Sequence, residues 1–262
     1  MNEPYYKFFI RSGWEGRTES PSAIGAKFVS TLTALSRIDP IFADWTILDA
    51  HNRLSFPLAE AQSRIAAVIG DNVVRDDDDE PEPWNGYHVS ALTGKFDNPR
   101  TVKFRVEAGG KRSSQTQLEF GDWKRPPDPA IVTYPRFKAA LLAINAIWLA
   151  PWASAQAFRS GTVEVPIELG GVRVTRMDGV TQVPGDPAFP DSMFNISWIA
   201  YLSAPFVGGL KLAPEILTER MPDGGLLMSA TTERFDPTNP VHLRGARVIA
   251  ETMIACIGPS LQ

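Results

Sequence analysis

The sequence is poor in the residues that most often do chemistry. Its 262 residues include one cysteine, Cys256, and three histidines. A single cysteine excludes a disulfide within the chain and any cysteine-rich zinc site. It also fits a reducing compartment. The histidines, His51, His88 and His242, stand far apart, and no spacing favours their meeting. Each reads first as a surface or hydrogen-bonded residue. The standard catalytic patterns are missing too. There is no G-x-x-x-x-G-K-[ST] phosphate loop, no G-x-G-x-x-G opening a helix, no G-x-S-x-G elbow and no H-E-x-x-H. No metal, cofactor or catalytic residue is expected on these grounds, and the chain reads as a non-enzyme.

An excess of positive charge is also absent. Lys and Arg number 26 against 30 Asp and Glu, for a net charge of −4. Phosphate neutralisation needs clustered Lys and Arg, so nucleic acid is not an expected direct partner. A basic protein partner fits the sign. Long apolar runs are lacking as well. The longest, Phe137 to Ala157, is broken by Lys138, Asn145, Pro151 and Gln156. A membrane span needs about 20 mostly apolar residues, so the run reads as a buried helix and no membrane partner is expected. Met1 to Ile10 carries charged residues and no apolar stretch, so no secretory leader is expected. The chain reads as soluble and cytoplasmic.

What is present is an ordinary globular composition, 44% hydrophobic and 21% charged, enough for one large core. Tyr5–Ile10 reads as a strand, and Ser20 with Pro21 caps a helix ending near Ile38. Ile41–Leu48 reads as a short strand or irregular apolar segment. Pro57 opens a second helix stopping at Gly70. Three strands follow: Trp84–Leu92, Thr101–Glu107 and Gln115–Phe120. Val102, Phe104 and Val106 alternate with charged residues, the period of a half-buried strand. Short connections make these an antiparallel meander. Pro135–Trp148 is helical, and Thr162–Thr175 alternates weakly around Gly170-Gly171 as a hairpin. Val183–Asp191, with three prolines, is a loop. Ile196–Leu202 and Leu226–Thr231 are strands. Asn239 and Pro240 start a last helix with an apolar stripe at Val248, Ile249, Thr252, Met253 and Cys256. No repeat or linker divides the chain, so residues 1–262 form a single α+β domain, largely antiparallel sheet packed with several helices.

Three features invite functional readings. Cys256, on the apolar stripe, reads as a buried, unreactive thiol. The acidic run Asp76, Asp77, Asp78, Asp79, Glu80 and Glu82, in a loop over residues 75–83, is a solvated loop or a surface that docks on a basic partner. It lacks the ligand spacing and central glycine of a calcium loop. The group Glu233, Arg234, Phe235 and Asp236, with Asn239 and His242, reads as a strand-to-helix turn. Asp236 and Asn239 bond backbone, Arg234 pairs with a carboxylate, and Phe235 anchors the turn. The competing reading is a hydrolase using Asp236, Glu233 and His242, which requires these side chains to line one open pocket. Trp14, Arg17 and Glu19 bracket the first strand-to-helix turn in the same way.

Four segments carry a resemblance. They are Gly13-Trp14-Glu15-Gly16-Arg17-Thr18-Glu19-Ser20 with the following Ile38-Asp39-Pro40 and Phe42-Ala43-Asp44-Trp45; Trp148-Leu149-Ala150-Pro151-Trp152-Ala153; Trp198-Ile199-Ala200-Tyr201-Leu202; and Gly225-Leu226-Leu227 running into Glu233-Arg234-Phe235-Asp236-Pro237 and Asn239-Pro240-Val241-His242. In type and order they resemble the bacterial immunity protein 52 family of polymorphic toxin systems. The segments cover well under half of the chain. Residues 70–129 and 160–195 match nothing in the family, and the first segment holds its aromatic pair farther from the Arg than is usual. The resemblance implies an α+β immunity protein made beside a secreted toxin of a type VI or Rhs-type system. Such toxins are often nucleases with a restriction-endonuclease-like fold. It further implies that the shared motifs are scaffold and that the toxin-specific surface lies in the unmatched parts, the acidic run among them. An adaptor of a secretion locus is a weaker alternative.

Overall fold

Antiparallel strands form the frame of this molecule, with strict in/out alternation on two of them. The computed structural model describes residues 5–49, 53–75, 78, 80–96, 98–111, 114–121, 125–160, 166–169, 172–175, 196–210 and 212–257. The strands are β1 (Tyr5–Trp14), β2 (Trp45–Leu48), β3 (Leu54–Pro57), β4 (Tyr87–Thr93), β5 (Val102–Ala108), β6 (Ser114–Phe120), β7 (Trp152–Ser160), β8 (Pro166–Leu169), β9 (Val172–Thr175), β10 (Ser197–Leu202), β11 (Leu217–Arg220) and β12 (Leu226–Ser229). The helices are α1 (Pro21–Ser36), α2 (Ala61–Asp71), α3 (Tyr134–Trp148), the four-residue α4 (Ala204–Val207) and α5 (Pro240–Ile257).

Ten strands form one sheet in the order β11-β12-β10-β7-β1-β6-β5-β4-β2-β3. Every neighbouring pair is antiparallel. The expected meander is β4-β5-β6, with Phe104 opposite Ala91 on one side and Leu118 on the other. β8 and β9 make a separate two-stranded sheet around residues 170–171, as the weak alternation there predicts. The fold is therefore a single α+β architecture dominated by antiparallel sheet.

Helices lie on both faces of the sheet. Ile10, Phe104, Leu118 and Ala155 belong to one core with Phe28 and Leu32 of α1, Ile65 of α2 and Phe137, Leu141 and Ile144 of α3. On β12, Leu227 joins this core, while its neighbours Leu226 and Met228 join a second one. Successive side chains on a strand point to opposite faces, so α5, which supplies Ile249, Ala250, Met253 and Ile257 to the second core, covers the other face at that end.

Local chemistry sets the helix ends. The Ser20 hydroxyl accepts the Ala23 N–H at 3.2 Å, and Pro21 opens α1. Asp39 caps a 3-10 turn, Pro40–Phe42, by accepting the Ile41 N–H. Its other oxygen takes the Arg136 guanidinium of α3 at 2.6 Å. Burial pushes the Asp39 carboxyl up, but these two donors outweigh it and hold it below the usual range.

Several expectations are corrected. The apolar run to Ala157 is not one helix. α3 ends at Trp148, where Leu149 takes a left-handed φ of 52°, and β7 begins at Trp152. This strand lies between β1 and β10 and sets Ala153, Ala155 and Ala157 in the first core in alternation with buried Ser154 and Gln156. The second helix starts at Ala61, after a 3-10 turn at Leu58–Glu60, and runs through Gly70 to Asp71. β4 starts at Tyr87, because Pro83–Asn85 forms a 3-10 turn. The buried face of α5 is Gly245, Ala246, Ile249, Ala250, Met253 and Ile257, while Val248, Thr252 and Cys256 sit on its flank. Residues 183–191 lie outside the described residues.

Candidate functional site

Most of the singled-out residues meet at two strand-to-helix junctions. The first follows β1. Trp14 stacks on Trp148 with ring centroids 5.3 Å apart. Arg17 lies over the Trp14 ring at 5.1 Å and donates to the Trp148 carbonyl at 2.8 Å. Trp148 Nε1–H donates to Thr31 Oγ1 at 3.0 Å. Glu19 pairs with Lys27, whose ammonium sits 5.6 Å from the centre of the Trp148 ring. Cation–aromatic contacts of this kind favour a desolvated setting, and both tryptophans are buried. The junction is sealed.

Three other motif aromatics are also packed. Trp45 is buried and lies nearly parallel to Phe42. Trp152 is buried in the second core, where a Cβ on Gly13 would come within 2.4 Å of its ring. The close approach of β1 and β7 there requires glycine. Tyr201 donates its hydroxyl to Asp223 at 2.7 Å. Burial, reinforced by that carboxylate, raises the phenol pKa, and the same bond lowers the Asp223 carboxyl. Asp223 also accepts the Gly225 N–H, so the pair fixes the turn into β12.

The second junction connects β12 to α5. Phe235 is buried and stacks between Trp198 at 5.8 Å and His242 at 5.9 Å. Trp198 Nε1–H donates to the Thr231 carbonyl. Asp236 Oδ1 accepts both the N–H and the hydroxyl of Thr238, at 2.8 and 2.7 Å, and these bonds hold its carboxyl below the usual range. Asn239 Oδ1 accepts the Val241 N–H at 2.9 Å. Arg234 has no ion pair among the described residues, so the expected pairing is replaced by these bonds to backbone.

The coupling of His242 to Asp236 is the central geometry. The Asp236 N–H donates to His242 Nδ1 at 3.1 Å. That nitrogen is therefore the acceptor, and Nε2 carries the ring proton. Nε2 lies 3.8 Å from Glu233 Oε2, beyond hydrogen-bond distance. His242 is only 7% exposed, whereas the Glu233 side chain is 81% exposed.

This turn forms one wall of a cleft of about 610 Å³. Tyr6 and Phe8 of β1 and Pro126, Pro127 and Pro129 of the connector before α3 form the rest. Glu233, Asp236 and His242 thus do line one open cleft, as the hydrolase reading requires. Two proton-accepting positions are committed to holding the chain, the Nδ1 lone pair to the Asp236 N–H and Asp236 Oδ1 to Thr238, while the Glu233 carboxylate stays exposed. The lining includes no serine, threonine or cysteine. The walls from β1 and the proline segment carry no local signal of this meeting; only Pro126-Pro127 marks a rigid connector.

The remaining candidates lie apart from these junctions. Asp78 and Glu80 are exposed, and Glu82 is half-buried and accepts from the Asn85 side chain. The loop is closed by a bridge between Arg75 and Pro81 and by the Glu82 N–H donating to Val74 O. Asp76, Asp77, Asp79 and His51 lie outside the described residues. His88, on β4, stands 3.8 Å from Glu107. Burial raises the pKa of the Cys256 thiol, the reverse of what a reactive thiolate needs. Among the described residues no group of three or more His, Cys, Asp or Glu could hold a metal ion, and no helix is long and apolar enough to cross a membrane.

No protein-family model matches the chain, and no curated protein matches it. Among solved structures it is similar to the Pseudomonas aeruginosa T6SS protein PA0821, with a TM-score of 0.52 at 13% identity. The likeness covers 97% of this chain and 77% of that one. At that identity the two share a fold, and the likeness carries no further.

Proposed function

We propose that this chain is an immunity protein that binds and neutralises a cognate secreted toxin by stoichiometric protein–protein contact. One observation carries the reading. The four sequence-distant motif segments meet pairwise inside the fold: Trp14 and Arg17 of the first on Trp148 of the second, and Trp198 of the third on Phe235 of the fourth. Motifs spent on a shared scaffold leave recognition to the surface between them, as matching one toxin demands. The fold likeness to a protein described as a T6SS protein agrees with a type VI secretion setting. The commitment of His242 and Asp236 to backbone favours binding over turnover. The acidic run, of which Asp78 and Glu80 are exposed, would steer a basic toxin and raise its on-rate. A nuclease-type toxin acting in the cytoplasm fits a cytoplasmic inhibitor.

Co-expression with the product of the neighbouring open reading frame, scored for growth and co-purification, tests this directly. Rescue of a toxic neighbour with a stable complex supports it. A neighbour whose toxicity the chain does not relieve, with no complex formed, rejects it and favours a secretion-locus adaptor.

A further inference from the structure

We infer that the cleft between β1, the Pro126–Pro129 segment and the 233–242 turn is a carboxylate-binding site for an acidic group of a polypeptide partner. This rests on the protein-binding reading above and adds the chemistry of one contact. The floor of the cleft holds a fixed donor. Because Nδ1 of His242 accepts the Asp236 N–H at 3.1 Å, the ring proton sits on Nε2. The His242 side chain is 9% exposed, and among the described residues no acceptor lies within hydrogen-bond distance of Nε2. The residue nearest to satisfying it is Glu233, whose Oε2 stands 3.8 Å away on an 81% exposed side chain. A carboxylate already hovers where a better-placed one would bind.

The second donor is Arg234. It lines the same cleft, is exposed, and has no ion pair among the described residues. A planar guanidinium and a ring N–H in one cleft suit a two-oxygen acceptor. The opposing charges in the cleft are Glu233 and Asp236; Asp236 Oδ1 is turned to Thr238, and its charge is felt by His242 and Arg234. Pro126, Pro127 and Pro129 offer a rigid apolar wall to the stem of the incoming residue. The volume, about 610 Å³, admits a side chain with its flanking backbone. The acidic group can be an Asp or Glu side chain or a chain terminus; both present the same two oxygens.

The test uses the full chain and three small probes. N-acetyl-glutamic acid α-amide offers only a side-chain carboxylate, N-acetyl-glutamine only a terminal one, and N-acetyl-glutamine amide neither. Imidazole nitrogen resonances are followed by NMR during titration, with His242 identified by His51→Gln and His88→Gln, which remove the other two signals. A saturable shift of His242 Nε2 with an acid, and none with the neutral amide, is expected. The tighter acid identifies the source of the group. Arg234→Gln should weaken that binding about tenfold or more, since hydrogen bonds to charged groups are worth that much. Glu233→Gln should tighten it by removing the resident competitor. Both positions are exposed, so folding is preserved. No saturable shift with either acid, an equal shift with the neutral amide, or unchanged affinity in R234Q overturns the proposal. Each of these outcomes is independent of whether the chain rescues cells from a neighbouring toxin.

Discussion

The two motif-bearing junctions use the same materials to opposite ends. Each combines a stacked aromatic pair with charged side chains at the entry to a helix. At the first, Arg17 and Lys27 lie over the tryptophans and the junction closes, with Trp14 4% and Trp148 0% exposed. At the second, Phe235 is as deeply buried, yet Glu233, Arg234 and Asp236 stay at the surface around a cleft. The difference lies in where the charges go. Arg17 donates to a main-chain carbonyl and sits on an indole. Arg234 has no such partner. An aromatic anchor thus serves as scaffold in both places, and the second gathers its exposed polar groups around a cleft.

Substitutions at the closed junction should therefore change stability, and those at the open rim should change binding. The largest effect is expected for Trp148→Ala, which removes a fully buried ring, its stack on Trp14 and the face under Lys27. It should cost about 3–5 kcal/mol in denaturant unfolding, and binding should fall only as the folded fraction falls. His242→Ala comes next. It strands the Asp236 N–H and removes the ring that packs on Phe235, at about 1–3 kcal/mol. A loss below about 0.5 kcal/mol would mean that the turn does not depend on this bond.

Asp236→Asn sharpens the contrast through pH. The native carboxyl is lowered by its Thr238 bonds, so its contribution is present above the unfolded Asp pKa of about 3.9 and is lost as pH falls through the folded value. The variant should be less stable than the parent near pH 7, and the two should converge below about pH 3. A constant difference across that range would break the account. The smallest effect on stability is expected for replacing Asp76–Asp79 with Ser, within about 0.5 kcal/mol. Association with the partner should nonetheless slow and lose salt dependence. Unchanged association kinetics would remove the loop from the interface.

How much of this was legible in the sequence follows from which signals are local. Ser20-Pro21 and Asn239-Pro240 mark helix starts by capping chemistry, and both helices begin there. Val102, Phe104 and Val106 report a strand with one wet face, and the meander forms. β7 was hidden because Ala153, Ala155 and Ala157 favour helix intrinsically, which masks their alternation with Ser154 and Gln156. β11 was hidden for the opposite reason: all four of its residues are exposed. On α5 the stripe was misplaced because the tightest packing uses Gly245, Ala246 and Ala250, which hydrophobic periodicity underweights. Phe235 as anchor and Asp236 as turn-former were readable. The His242–Asp236 bond and the walls from Tyr6, Phe8 and Pro126–Pro129 were not, because they depend on tertiary placement.

The central claim is neutralisation by binding rather than turnover. Titrating the purified chain into the purified neighbouring toxin, while following the toxin's activity, tests it most directly. A stoichiometric binder gives inhibition that grows linearly and ends at a fixed molar equivalence. Complete inhibition at a small fraction of one equivalent, deepening with time, would contradict the account and mark the chain as an enzyme acting on the toxin or its product.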